Sequence, residues 1–414
     1  MYRGHLTPED LRALAKEHLV PFFSGAALQP DVNLSNAWAK TVAFTDPCTI
    51  EFKLNRADPY RLTVRRSQPF AKDSSSSVTE KQLVTAFTDV VREMEPGLSA
   101  PYRADLLATL DRRVVAKAVS VGFDENVILD ALDQLLFWAG RLYEGRPISA
   151  AIGFDANLTP SVSPVSLKDV WRADFCSVLT NGFDTMLVCD RGGSITAHQS
   201  LEQNAAAVTF SPFRYAPIAA WAVAGRLAFV LNRLGEILVF KDEKLLFARR
   251  AGVWHFITHS SVLTQLGVPN NQQVRRAVYE SCLDASFART GACVGIVNST
   301  NAASWQTLAT SRADHLAADS PKALALAAMI KQRKWYELDR RLRQELLAID
   351  GATLLDHNGD LLAVGAILRV PGGSTGGGRL AAAKELSALG LGVKVSQDGG
   401  IRAFRSKTEV LTIM

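Results

Sequence analysis

Ile349-Asp350-Gly351-Ala352 and, a little downstream, Gly376-Gly377-Gly378-Arg379-Leu380-Ala381-Ala382-Ala383 decide how this chain is read. The first stretch sets a carboxylate and a glycine where a helical pattern hands over to a strand pattern. The second runs consecutive glycines into an alanine-rich helix. Backbone N–H groups at a helix start, with no Cβ in the way, attract anions. Ser374, Thr375 and Arg379 add hydroxyl and guanidinium donors there. Together the two stretches read as the walls of a phosphate-binding cleft. Asp350 can hold Mg²⁺ or Mn²⁺ on a ligand's phosphates, or accept a proton from a ribose hydroxyl. Each stretch also has a plainer reading. The run 371–378 has linker composition, and an Asp before Gly-Ala can simply turn the chain. The loop is neither a Walker A sequence nor a dinucleotide fingerprint.

Around the cleft lies an α/β pattern. A helix carries Val274, Val278, Cys282, Ala285 and Ala288 on one face, followed by a buried-type strand from Ala292 to Val297. Helices are expected from Ala323 to Ile330 and from Trp335 to Ala348. Asn358-Gly359 then marks a hairpin. The glycine loop enters a helix with Leu380, Ala383 and Leu386 inward, closed by Gly390 as a C-cap. A strand from Val393 to Ser396 and a turn at Asp398-Gly399-Gly400 finish the unit, a mixed sheet flanked by helices.

Upstream, Thr7-Pro8-Glu9-Asp10 is a helix start. Residues 49–65 alternate as two strands, Lys72 to Ser77 reads as a loop or hinge, and Thr79 to Leu142 is helical with breaks at Pro96-Gly97 and Gly122. A β-rich stretch follows: a strand from Ile148 to Phe154, a hairpin over 184–198, and a meander over 225–257. Three modules are therefore expected: an α+β module over 1–146, a β-rich segment over 147–270 and the cleft-bearing domain over 271–414. Turns near Asp190, Asn232 and Asp356 look alike, but their uneven spacing gives no repeat architecture.

The 414 residues suffice for large cores, and 48% apolar with 21% charged residues is ordinary globular composition. A net charge of +5 permits an anionic ligand without demanding nucleic acid. The basic run Lys331-Gln332-Arg333-Lys334 reads as a solvated helix face. Five scattered cysteines with no Cys-x-x-Cys fit a reduced cytoplasm. The N-terminus shows no signal-peptide pattern, and the longest apolar run, Ala216 to Gly225, is too short to cross a bilayer. His255 and His259 lack the helical Glu between them that a zinc protease needs. Cys176 and Cys189 have no His partner, and Gly-Phe-Asp at 122–124 and 182–184 falls in turns.

The C-terminal unit resembles the diadenylate cyclase (DisA N-terminal) superfamily over roughly residues 275–405. Glu280 to Gly291, ending Arg289-Thr290-Gly291-Ala292, is similar to that family's opening helix and its entry to the first core strand. Asp350-Gly351-Ala352 matches its Asp-Gly-Ala motif, followed by a hairpin ending Gly365-Ala366-Ile367-Leu368. The glycine loop falls at its Gly-Thr-Arg-His-Arg-Ala-Ala motif, and Val395-Ser396 at its Val-Ser-Glu-Glu. The resemblance implies condensation of two ATP molecules to cyclic di-AMP, with Asp350 positioning metal and the attacking hydroxyl, between domains that meet face to face.

Departures from the family pattern weigh against that chemistry. Arg379 keeps the first Arg position, but Leu380 and Ala381 stand at the His and second Arg positions, and Gln397 and Asp398 at the two glutamates. Each lost donor to a developing charge typically costs about 10²-fold in rate. Such losses resemble the divergent DACNV-type branch, regarded as nucleotide sensors, which Tyr143 to Ser149 and Gly235 to Arg250 also echo.

The expectation is a cytoplasmic sensor of a nucleotide or cyclic oligonucleotide, with no membrane or nucleic-acid partner and a possible homo-oligomer. Asp350, Gly351, Ala352, Ser374, Thr375, Gly376, Gly377, Gly378, Arg379 and Ser396 form the expected site, with Mg²⁺ or Mn²⁺ on Asp350 accompanying the ligand. One alternative is an active cyclase drawing substitute donors from Arg369 or Lys384. Another is a scaffold whose glycine loop is only a linker.

Overall fold

The computed structural model describes residues 6–30, 41–53, 61–71, 77–98, 103–159, 165–170, 174–202, 210–267, 271–301, 304–370 and 377–414. It forms two compact units, Met1–Thr258 and His259–Met414.

The first unit opens with helix α1 (Pro8–His18). Thr7 Oγ1 accepts the Asp10 N–H, and the Asp10 carboxylate accepts the Thr7 N–H, so two orphan donors of the first turn are satisfied reciprocally. Strands β1 (Ala27–Leu28), β2 (Val42–Asp46), β3 (Thr49–Phe52) and β4 (Leu62–Arg65) make a four-stranded antiparallel sheet in the order β1-β4-β3-β2. The two strands expected over 49–65 are β3 and β4. Strand β2 escaped notice because its burial does not alternate. Residues 72–76, read as a hinge, lie outside the described residues.

The long helical stretch divides into α2 (Glu80–Met94), α3 (Arg103–Val119) and α4 (Glu125–Ala139), with Thr79 and Asp124 as N-caps of the first and last. A short ribbon, β5 (Leu142–Tyr143) and β6 (Arg146–Pro147), leads into a seven-stranded sheet. Its members are β7 (Ala150–Asp155), β8 (Thr185–Asp190), β9 (Ile195–Ser200), β10 (Arg226–Leu231), β11 (Ile237–Lys241), β12 (Lys244–Arg250) and β13 (Val253–Phe256). Helix α5 (Leu167–Val170) lies in the β7–β8 connection, and α6 (Ala216–Trp221) between β9 and β10. A single apolar cluster joins the helices to both sheets, through Leu14, Phe52, Phe87, Leu132, Phe154, Phe229 and Phe247.

The second unit begins with α7 (His259–Gln265) and α8 (Gln272–Ala288), followed by β14 (Ala292–Val297). The crossover to β15 (Ala352–Asp356) carries α9 (Pro321–Ile330) and α10 (Arg340–Ala348). Strand β16 (Leu361–Ala366), helix α11 (Gly378–Ser387) and strands β17 (Gly390–Val395), β18 (Ile401–Arg405) and β19 (Thr408–Ile413) complete it. The sheet runs β16-β15-β14-β17-β18-β19, with β14 and β15 parallel and every other pair antiparallel. This is the mixed sheet flanked by helices that the sequence predicts.

Several local expectations are corrected. The helix expected over 335–348 is interrupted: Leu338 is extended, and Asp339 caps a fresh start by accepting the Arg341 N–H at 2.9 Å. Gly390 is not a C-cap. It opens β17, where a Cβ would come within 2.2 Å of Ile296 O, so glycine is set by close approach of two strands. The chain continues past the Asp398 turn into β18 and β19. Lys331 and Gln332 are not on a helix face: both take left-handed conformations after α9 ends. Finally, a repeat is present. The order β9-β8-β7-β10-β11-β12 in the first unit is that of β16-β15-β14-β17-β18-β19 in the second. Unequal connections hid it, since among the described residues the β14–β15 crossover carries the α-helices α9 and α10 where β7–β8 carries the four-residue α5.

Candidate functional site

Strand β15 and the start of α11 meet at one end of the second sheet, around a cavity of about 640 Å³. Its walls include Cys293, Asp350, Ala352, Ala366, Arg379 and Ala382. The cavity exists because the strand and helix positions that face it are small.

Gly351 holds the entry to β15 in place. Its φ is +103°, and a Cβ there would lie 2.5 Å from the carbonyl carbon of Gly365, itself at φ +58°. Two backbones therefore pass too closely for any other residue. Lys322 secures the same spot, donating from Nζ to Gly365 O at 3.3 Å and to Asp314 Oδ1 at 2.7 Å. The result is that Asp350 projects outward with a 90% exposed side chain.

Across the mouth stands Arg379, on the first turn of α11. Its Nη2 lies 3.8 Å from Asp350 Oδ1. Gly291, at φ +65°, makes room for it, since a Cβ there would fall 2.6 Å from Arg379 Nη1 and 3.4 Å from Gln397 Cγ. The glycine of Arg-Thr-Gly-Ala is thus a seat for the guanidinium. Nothing local in the sequence points to this role, nor to Cys293 and Val370 as cavity walls. Burial pushes the Cys293 thiol up to about 12, with Arg379 pulling weakly the other way. This sulfur is a wall atom and not a nucleophile.

Gly377 takes φ +90° as the N-cap of α11 and has no side chain to cap with. The first N–H groups of any helix have no carbonyl within it; here the Leu380 N–H bonds the Gly377 carbonyl at 3.1 Å, and Gly378 and Arg379, the first residues of α11, line the cavity. Leu380 turns inward to the core with Ala383 and Leu386. The Leu380 side chain is therefore spent on packing.

The structure brings Asp350, Gly351, Ala352, Gly378 and Arg379 to one cavity, with Gly377 adjoining. Ser396 is not among its walls. Its hydroxyl contacts Gly400 O at 3.0 Å and the Asp398 carboxylate, closing the β17–β18 turn. Ser374, Thr375 and Gly376 lie outside the described residues. Lys384 sits over the Phe404 ring, whereas Arg369 lies between the wall residues Leu368 and Val370.

The described residues hold no group of three or more His, Cys, Asp or Glu side chains placed to bind a metal. Asp350 is the one carboxylate among the described cavity walls, so it would be the protein's single carboxylate ligand to a divalent ion held there. His255 and His259 serve separately: His255 Nδ1 lies 3.3 Å from Ser24 Oγ, and His259 Nδ1 2.7 Å from the Tyr279 hydroxyl.

No protein-family model matches the chain, and no curated protein does. Among solved structures, a crystal structure of a double mutant of DacA from Staphylococcus aureus aligns with 15% identity and a TM-score of 0.24, covering 34% of this chain and 87% of that one. Among the described residues, no helix is long and apolar enough to cross a membrane.

Proposed function

We propose that the second unit binds a nucleotide or cyclic oligonucleotide as a sensor, without turning it over. The observation that carries this reading is the facing of Arg379 and Asp350 across the mouth of a roughly nucleotide-sized cavity, at the start of a helix. At 3.8 Å, with both side chains partly or largely exposed, the pair is loose. Loose exposed pairs are worth little, so Arg379 can exchange Asp350 for a phosphate at small cost. The helix N–H groups then add charge-assisted hydrogen bonds. Asp350 is left to meet a ribose hydroxyl, or Mg²⁺ or Mn²⁺ held on the phosphates. The apolar walls suit the face of a base.

Sensing is favoured over synthesis because Arg379 is the one cationic residue among the described cavity walls, and a departing pyrophosphate needs more donors than that. Purified protein incubated with ATP and Mn²⁺, beside Asp350→Asn, is the test, with products read by mass spectrometry. Unconverted ATP is expected for both proteins. A cyclic dinucleotide made by the wild type and absent with the variant makes this an active diadenylate cyclase instead. In an equilibrium titration, Arg379→Ala should weaken ATP binding by about 1.5–3 kcal/mol, the range for a charge-assisted hydrogen bond; unchanged affinity removes Arg379 from the site.

A further inference from the structure

The likeness of the two sheets extends to residue register. Gly153 in β7 is flanked by Val188 and Ala228, and Gly295 in β14 by Leu354 and Gly392. Phe229 opposes Val239 as Val393 opposes Ala403. Cys189 opposes Ile195 as Leu355 opposes Leu361. The bulge between β11 and β12 falls at Val239/Phe240, and the one between β18 and β19 at Ala403/Phe404.

The turns agree as well. Asp190 and Asp356 each accept two backbone N–H groups across their hairpins, at 2.8–3.0 Å. Asp242-Glu243 and Ser406-Lys407 are left-handed pairs in tight hairpins, where such geometry is rare without glycine. Order, direction, turns and most of the register coincide, although β15–β16 has one further shift, between Ala352 and Leu354, that β8–β9 lacks, and Ile237-x-x-Phe240-Lys241 parallels Ile401-x-x-Phe404-Arg405.

Register then assigns counterparts. Asp184 precedes the β8–β9 hairpin as Asp350 precedes the β15–β16 hairpin, and Met186 stands where the second sheet has Ala352. Arg214, before α6, stacks at 4.9 Å on Phe183, the residue before Asp184. Behind them the space is taken. Met186 Cε and the Trp221 ring lie 2.2 Å and 2.6 Å from where a Gly153 Cβ would be. Trp221 Nε1 donates to Gln199 Oε1 at 3.0 Å, which fixes the ring. Over Gly295 only Leu386 approaches within 3.2 Å, and Ala352 leaves the floor open.

We infer that the chain contains one fold twice and that the cleft of the first copy is filled by Met186 and Trp221, leaving one nucleotide site per chain. The count of sites rests on the nucleotide-binding reading of the second unit; the filling of the first does not. A calorimetric titration of the full chain with ATP and Mn²⁺, paired with thermal unfolding, tests both.

One ATP per chain is expected for the wild type and for Asp184→Asn. Ala352→Met, which installs the first copy's residue in the second, should weaken uptake at least about tenfold while the unfolding midpoint holds. Met186→Ala should lower the midpoint by about 5 °C or more, as loss of a buried side chain does. Two ATP per chain, loss of binding with Asp184→Asn, or an unchanged midpoint for Met186→Ala overturns the inference. If the wild type takes up no ATP, the nucleotide reading falls, and the Met186→Ala midpoint alone decides whether the first cleft is filled.

Discussion

A methionine stands in β8 where β15 has an alanine, and a tryptophan reaches over Gly153 where a leucine reaches over Gly295. Strand order is shared over six strands, with β13 added at one edge of the first sheet, and the pairing differs by one shift at Ala352/Leu354. The comparison teaches that the scaffold does not by itself make the cleft; the side chains on one face of it do. The crossovers differ too. In the second sheet the β14–β15 crossover carries α9 and α10, and α10 is tied to α8 by ion pairs: Arg340 to Asp284 at 2.7 and 2.9 Å, and Arg343 to Glu280 at 2.9 Å.

The sharpest break in the likeness is at Gly392. A Cβ there would lie 1.8 Å from Ala383 O, whereas its counterpart Ala228 already carries one. Helix α11 therefore rests on backbone. Gly392→Ala should cost more than about 4 kcal/mol or prevent folding, while Ala228→Gly should cost about 1 kcal/mol. Chemical denaturation of both variants checks this, and a tolerated Gly392→Ala would mean that α11 packs no closer than α6.

Next comes the β14–β15 crossover. Asp284→Asn takes from Arg340 its direct ion-pair partner in a nearly buried setting, leaving the Glu280 charge nearby, and should cost about 3 kcal/mol by the same measurement. A loss under about 1 kcal/mol would show that α10 docks by apolar contact alone.

The smallest effect separates the units by acid. Burial, reinforced by Arg250, lowers the His255 value from 6.5 to about 4, so the folded first unit prefers the neutral ring. The unfolded chain binds the proton first. His255 thus supports the fold fully above pH 6.5, and that support fades as pH falls toward 4, by about 2–3 kcal/mol in total. Glu280, in the second unit, is buried, but Arg340, Arg276 and Arg343 outweigh that burial and hold it below its ordinary value. Its support persists above about pH 4.5 and is lost only as pH falls through the lowered value. Unfolding at pH 7, 5.5 and 4.5 should show a slope for the first unit that His255→Gln flattens; an equal slope in the variant would assign it elsewhere.

Much of this was legible in the sequence, for identifiable reasons. Thr7 and Asp10, Asn358-Gly359 and Asp350-Gly351-Ala352 signal their structures locally, through capping, turn chemistry and a backbone needing glycine. What stayed hidden depends on distant parts of the chain. Gly390 and Gly392 look like helix-end and strand glycines until β14 and α11 are seen against them. Gly291 shows its purpose only once Arg379 lies on it. The repeat left no period because hydrogen-bond register is kept across connections of any length, whereas sequence spacing is not. Ser396 looked like a ligand contact, yet a hydroxyl beside Asp398-Gly399-Gly400 is also what closes a tight turn.

Among the described residues nothing lies within 4 Å of where a Gly378 Cβ would stand, at the lip of the cavity. Four of the five cysteines are buried and Cys48 is only partly exposed. With Cys48→Ser, a cysteine introduced at Gly378 would be the single accessible thiol among the described residues. A fluorophore attached there would turn the chain into its own optical assay, able to screen a library of small phosphorylated compounds for whichever one fills the cleft.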